Sequence, residues 1–343
     1  MIRFTVARQA TFAVAFTFLL GCGYDSKTPY PSAPNPAFED GLWTASGTNP
    51  AILHLDPSQL LTDGDRMPVT AITTPSARLF NLNGIAFDAD GTMWIASQDD
   101  SVLVAFAPAT LASSGSRTAT TRITSIGGSL SAPTGLAFDA QHRLWVANSE
   151  NGTIVRFDRA QLAAGGAVVP AVTISGLGTP NSLAFDAAGS LWVSKQNKVF
   201  SFSPAQLDSS GFLAPHVVIS SLGPSLADPS GIAFDADGKL WVGNAGNKTV
   251  VAFSPDQLAT TGSPAPRIVI SSNASSLQTP FGLAFDSDGS LWVMGGADAL
   301  EKFSRTSIAA TGAPSPSVRV RLVGYILFWN VAFWPKPAGL PLN

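Results

Sequence analysis

Paired carboxylates recur inside one short phrase of this sequence: Asp88 and Asp90 in "DADG" (88–91), Asp235 and Asp237 in "DADG" (235–238), and Asp286 and Asp288 in "DSDG" (286–289). Two carboxylates so close together suggest calcium, because hard cations are held by several oxygens at once. An EF-hand-type loop would need further oxygen ligands and a distal Glu, and neither follows. The competing reading is a hairpin turn, where Asp accepts backbone N–H bonds and Gly takes positive φ. The sequence contains its own control. Asp88, Asp139, Asp186, Asp235 and Asp286 all precede a hairpin phrase, whereas the related stretch "NVAFWP" (330–335) has Trp334 at that position and no hairpin after it. The Asp follows the turn, so a structural role is expected.

Other chemistry is sparse. The histidines, His54, His142 and His216, are far apart in the chain, and His142 holds a turn position that is Gly in the other complete copies. H-E-x-x-H, G-x-S-x-G, a P-loop, a dinucleotide glycine fingerprint and C-x-x-C are all missing. A net charge of −3 with only 13% charged residues gives no field that would attract nucleic acid.

The elements that must position any site are legible in a repeat. The phrases are "NGIAFDADGTMWIAS" (83–97), "TGLAFDAQHRLWVAN" (134–148), "NSLAFDAAGSLWVSK" (181–195), "SGIAFDADGKLWVGN" (230–244) and "FGLAFDSDGSLWVMG" (281–295). Each reads as strand, turn, strand. Trp94, Trp145, Trp192, Trp241 and Trp292 recur at intervals of 51, 47, 49 and 51 by subtraction, a period that signals a β-propeller. A third strand such as "TIVRFD" (153–158) and a fourth such as "AVTIS" (171–175) complete a four-stranded blade. Between them, "SPAQLDSSG" (203–211), "SPDQLATTG" (254–262) and "DPSQLLTDG" (56–64) predict one helical turn with an N-cap, Pro at the first position and a closing Gly.

Two fragments remain. "GLWTAS" (41–46) is a second strand without a first, and "NVAFWP" is a first strand without a second. Trp43 lies 51 residues before Trp94 and Phe333 lies 48 after Phe285, so both keep the register. Pairing them predicts an all-β, six-bladed propeller closed by the C-terminal strand against N-terminal ones, with no exposed sheet edges. A seventh blade begun around Phe38 is disfavoured, because Phe38 to Trp43 is five residues where complete copies have seven.

Through the pattern P-x-G-L-A-F-D-x-x-G-x-L-W-V and closure by both termini, residues 41–335 resemble the six-bladed propellers of the NHL-repeat and SMP-30 (gluconolactonase)-like group. At the N-terminus, Arg3 and Arg8 precede the apolar stretch "TFAVAFTFLL" (11–20), which is too short to span a bilayer. It runs into Leu19, Leu20, Gly21 and Cys22, which look like the lipobox of bacterial lipoproteins; Cys22 is the only cysteine. The resemblance implies a signal peptide over 1–21, a lipidated Cys22 and Pro-rich tether over 22–40, the propeller over 41–335 and a tail over 336–343. The tether would reach on the order of 50 Å. It also implies an extracytoplasmic, lipid-anchored protein. Gly23 resembles the residue of outer-membrane-sorted lipoproteins, should the source have two membranes.

In propellers the first strand of each blade starts beside the central channel, on the face that usually binds ligands. The residue before each "G-L-A-F-D" is therefore expected there: Asn330, Asn83, Thr134, Asn181, Ser230 and Phe281. In SMP-30-like hydrolases this region carries a metal held by Glu, Asn and Asp, and Asn83 and Asn181 match only the Asn part. Amides alone hold a hard cation such as calcium weakly. Streptogramin-lyase-like propellers use His and Glu with a metal, and that set has no placement here. The loops after the second strands add Asp99, Asp100, Glu150, Lys195 and Lys248 on the same face. Phe281 and Trp329 are either stacking groups at the mouth or packing. The expectation is a monomeric binding module for an envelope polypeptide or glycan. The alternatives are a lactonase with a divalent metal, calcium or zinc, and a structural envelope component.

Overall fold

The computed structural model describes residues 40–340 apart from 48–49, 75–78, 222, 272, 274–275, 297–298, 326–327 and 339. The stretches expected as signal peptide and tether, with Cys22, lie before residue 40 and outside the described residues; the described ones make up the propeller. These residues form six small sheets arranged as a six-bladed propeller. The first complete blade shows the plan: strands Leu82–Phe87, Met93–Ser97, Val102–Phe106 and Thr121–Thr124 run antiparallel from the channel to the rim. Blades are numbered 1 to 5 along the chain from this one, and the blade shared by the two ends is blade 6.

Blade 6 is built as the two fragments require. Phe328–Trp334 pairs antiparallel with Gly41–Ser46, followed by Ala51–Leu55 and Thr70–Thr73. Register survives the splice: an Ala faces the Trp in every blade, as Ala86 with Trp94, Ala137 with Trp145, Ala184 with Trp192, Ala233 with Trp241, Ala284 with Trp292 and, across the closure, Ala332 with Trp43.

The core consists of six wedges between blades. Each blade's Trp lies against the next blade, which is why strands are apolar on both faces. Trp145 meets Phe185, Trp192 meets Phe234, Trp241 meets Phe285, Trp292 meets Phe333 and Trp43 meets Phe87, all edge to face with centroids 5.9 to 6.3 Å apart. Such pairs contribute about 0.5–1.5 kcal/mol each beyond burial. The turn Asp fastens the same Trp. In blade 2, Asp139 Oδ1 accepts the N–H groups of Gln141 and Arg143, both at 3.0 Å, while Oδ2 accepts the Trp145 indole at 2.9 Å. Asp186, Asp235 and Asp286 hold Trp192, Trp241 and Trp292 at 2.8 to 3.0 Å. The first Asp of each pair in the opening motif is thus a turn anchor, and Asp235 and Asp286 are Trp anchors too; of the second members, Asp90 pairs with Arg159 at 3.1 Å and Asp237 with Lys239 at 2.7 Å.

Blades have four or five strands, one more in places than the repeat suggests. The extra strand is the closing Gly of the helical-turn phrase, handed to the preceding blade. Gly64, Gly115, Gly166, Gly211, Gly262 and Gly312 pair in parallel with Val320, Ile72, Ile123, Ile174, Ile219 and Ile270. The side chain just before the Gly caps an N–H of that outer strand: Ser114 for Ala71, Ser210 for Thr173, Thr261 for Val218, Thr311 for Val269 and Asp63 for Arg319, at 2.8 to 3.1 Å. Every rim edge is therefore covered by its neighbour.

Candidate functional site

Four glycines let the innermost strands converge. A Cβ on Gly84, Gly135 or Gly231 would lie 2.1 to 2.5 Å from the carbonyl oxygen of Thr134, Asn181 or Phe281 in the next blade, and one on Gly282 would lie 2.8 Å from Asn330 Cα. The six residues heading the first strands consequently draw together: Asn83, Thr134, Asn181, Ser230, Phe281 and Asn330 all border one cavity of about 420 Å³ at the channel mouth. Asn81, Gln98, Ser149, Thr179, Ser182, Gln196, Asp228 and Trp329 complete much of its wall.

Below this cup, Ile85, Leu136, Leu183, Ile232, Leu283 and Val331, one from each blade, form an apolar collar. Beside the collar a second, apolar cavity of about 250 Å³ is bordered by Trp334, Pro335, Lys336, Pro337 and Leu340, with the Lys336 ammonium donating to the Leu340 carbonyl. The channel is thus divided into a polar upper cup and an apolar lower one.

The loops leading into the head residues are pinned from the ends of the second strands. Asn148 Oδ1 accepts Ser131 N–H at 3.1 Å and Asn244 Oδ1 accepts Ala227 N–H at 3.3 Å. In blade 5 the fully buried Glu301 does the corresponding work, accepting Leu277 N–H at 2.9 Å with Arg319 3.5 Å away, and burial raises its pKa. In blade 1, Asp100 accepts Phe80 N–H at 3.2 Å and the Ser97 hydroxyl at 2.7 Å.

The head side chains do different work. Thr134 Oγ1 donates to the Asn181 carbonyl at 2.9 Å and Ser230 Oγ to the Pro280 carbonyl at 2.6 Å, so both buried hydroxyls fasten adjacent blades. Asn83 and Asn81 donate to Gln98 Oε1 at 3.3 and 2.9 Å, wiring three amides together on blade 1. Asn330 Oδ1 accepts Val331 N–H at 2.8 Å, which leaves its amide N–H₂ available. The amides of Asn181 and Gln196 make no hydrogen bond among the described residues, and both border the cup. Phe281 and Trp329 pack with centroids 4.6 Å apart at 55°, and together they are an apolar stretch of wall.

The charged loop residues lie elsewhere. Asp99, Asp100, Glu150, Lys195 and Lys248 do not border the cup. Asp100 caps blade 1 as above, Asp99 accepts from Asn81 at 3.4 Å, Glu150 accepts the Ser131 hydroxyl at 2.8 Å and Lys248 donates to Gln278 at 2.9 Å. Lys195 stands across its hairpin from Lys198, and burial followed by that like charge lowers its pKa. The physical reason is that most of these charges turn to nearby loops rather than to the channel: Asp100 takes a backbone N–H, while Asp99, Glu150 and Lys248 pair with polar side chains.

Reading only charged loop residues passes over the neutral amides beside them. Gln98 and Gln196 are neighbours of the charged positions, and Asn81, Thr179 and Asp228 each stand two residues before a head residue; that fixed offset was the available signal. Among the described residues, Asp228 is the one carboxylate in the cup wall, and it is exposed. Among the described residues no group of three or more His, Cys, Asp and Glu is placed to hold a metal ion. Hydroxyls already spent on carbonyls, several amides and one carboxylate do not fit calcium or zinc, so no chemical step is derived through a metal.

No protein-family model and no curated relative matches the chain. Solved structures do. Virginiamycin B lyase from Staphylococcus aureus aligns with a TM-score of 0.51 at 12% identity, over 78% of this chain and 82% of that one; a catalytically inactive form of the lyase with quinupristin gives 0.52 at 12%, over 80% and 85%. A chain of a nidogen/laminin complex aligns with a TM-score of 0.59 at 15% identity, over 88% of this chain and 100% of that one. A Bacteroides caccae protein of unknown function gives 0.59 at 11%, over 89% and 100%. At these identities the likeness is one of fold: this chain shares the propeller architecture of an enzyme and of a protein solved in a protein complex.

Proposed function

We propose that this chain is a lipid-anchored, extracytoplasmic binding module that takes a polypeptide or glycan of the cell envelope in the upper cup. The observation that carries the reading is the convergence of all six head positions on one polar cavity, with the Asn181 and Gln196 amides unengaged. Its volume lies in the range typical of small-ligand sites, about 300–1,000 Å³. The nidogen/laminin neighbour supports a binding use of the fold, and the chemistry of the cup favours recognition over catalysis. Cys22 would supply the anchor and the Pro-rich segment the reach.

The test is to probe glycan and envelope-peptide arrays with the purified protein and with an Asn83→Ala/Asn181→Ala variant. Array ligands retained by the parent and lost by the variant are expected; a parent that retains nothing, or a variant that retains everything, would defeat the reading. Mass spectrometry of the mature N-terminal peptide checks the anchor, with a lipid-modified Cys22 as the expected result and an unmodified Cys22 as the opposing one.

A further inference from the structure

The upper cup has two unlike walls. Phe281 belongs to blade 5 and Trp329 to blade 6, and in a six-bladed ring these stand opposite blades 2 and 3, which contribute Ser149, Asn181 and Gln196. One side is an aromatic surface and the other is lined by amides and a hydroxyl. Each Asn or Gln amide offers donors and an acceptor together, the same pairing that a sugar hydroxyl offers. A pyranose has the matching anatomy, with a C–H face that packs on an aromatic ring and hydroxyls around its edge.

Gln196 strengthens the case. Lys195 pairs with Lys198, so Gln196 and Asn197 form a two-residue hairpin, two residues shorter than the corresponding loops after Ser97, Asn148 and Asn244. Gln196 takes φ +47° while Asn197 is not among the positive-φ residues, the pattern of a type II′ turn, where Gly is the usual occupant. A Gln there is held in a conformation that disfavours it, and its side chain borders the cup.

From these observations we propose that the upper cup binds the terminal unit of a neutral saccharide, stacked on Phe281 and Trp329 and hydrogen-bonded through Asn181 and Gln196. This rests on the binding reading above and narrows it. End-on binding follows because the polar lining of the cup gives way to the apolar collar of the second cavity. A neutral ligand is favoured because, among the described residues, Asp228 is the one ionisable group in the wall. A polypeptide added along a sheet edge has no edge to join, since each rim strand is covered by its neighbour.

The test uses the full-length protein in a detergent without a sugar headgroup, titrated calorimetrically with maltotriose, cellotriose, chitotriose, mannotriose and, as the competing class, trialanine. At least one neutral saccharide is expected to bind and to quench or shift Trp fluorescence. Gln196→Gly is expected to weaken that binding about tenfold while the protein melts at the same or a higher temperature, since Gly relieves the turn. Trp329→Leu is expected to weaken it at least as much. Saccharide affinity untouched by both substitutions, or no saccharide binding at all, overturns the inference. Trialanine binding through its ammonium, lost in Asp228→Asn, would overturn it too while leaving the broader binding reading standing; failure of every array ligand would remove both.

Discussion

His54 sits on the third strand of blade 6, fully buried and stacked on Trp43 at 4.4 Å and 15°. Burial lowers its pKa to about 4, against smaller opposing effects from the Asp40 carbonyl and the Asp56 charge. The folded state therefore prefers neutral imidazole. Its contribution to stability is present above the unfolded pKa near 6.5 and is lost as pH falls toward 4, on the order of 3 kcal/mol in all. Urea midpoints measured from pH 7 to pH 4 should fall more steeply for the parent than for a His54→Gln variant; parallel curves would show that His54 does not titrate against the fold. At this scale the sequence was partly readable. The Asp of each turn phrase declares its backbone role by giving way to Trp334 where no hairpin follows, but the second bond that Asp139, Asp186, Asp235 and Asp286 make, to the Trp indole six residues on, needs the two strands to be folded together. The amides of Gln98 and Gln196 carry no local signal beside charged neighbours, and only convergence at the channel gives them a role.

The innermost strand of each blade sets the cup, and its tolerance for substitution depends on how closely the next blade approaches. Gly135→Val would place a Cβ 2.5 Å from the Asn181 carbonyl oxygen, and backbone rather than a side-chain tip would have to yield. A loss of about 2–4 kcal/mol is expected, read as a lower urea midpoint. A Ser at 135 brings the same Cβ, so Gly135→Ser should also lose stability, although Ser182 is accommodated at the equivalent position of blade 3, where its hydroxyl accepts Ile232 N–H at 3.4 Å. No loss in Gly135→Ser would show that strand approach is not limiting. Strands, turns and the helical-turn phrase were legible because each carries a short-range pattern: alternation, Asp-x-x-Gly, and a cap followed by Pro. The parallel rim contacts were not, because a single Gly joining a neighbouring blade leaves no periodic trace.

At the scale of the whole molecule, closure joins residues almost 290 positions apart, with Thr44 Oγ1 donating to the Asn330 carbonyl at 2.8 Å across a sequence separation of 286. The spacing of Trp43 and Phe333 carries this closure in the sequence, since a ring of repeats must either close or expose two edges. Deleting residues 330–343 would remove the innermost strand of blade 6, one head residue of the cup and the cover of the lower cavity. The truncated protein should melt at least 10 °C lower or fail to fold, and one that melts like the parent would refute the closure. The central claim is that six separate strand heads make one binding cup. It is tested most directly by hydrogen–deuterium exchange of the protein with and without its strongest array ligand. Protection should appear together at residues 81–83, 179–182, 196 and 329–330; protection confined to the rim or to the lower face, with those segments unchanged, would contradict it.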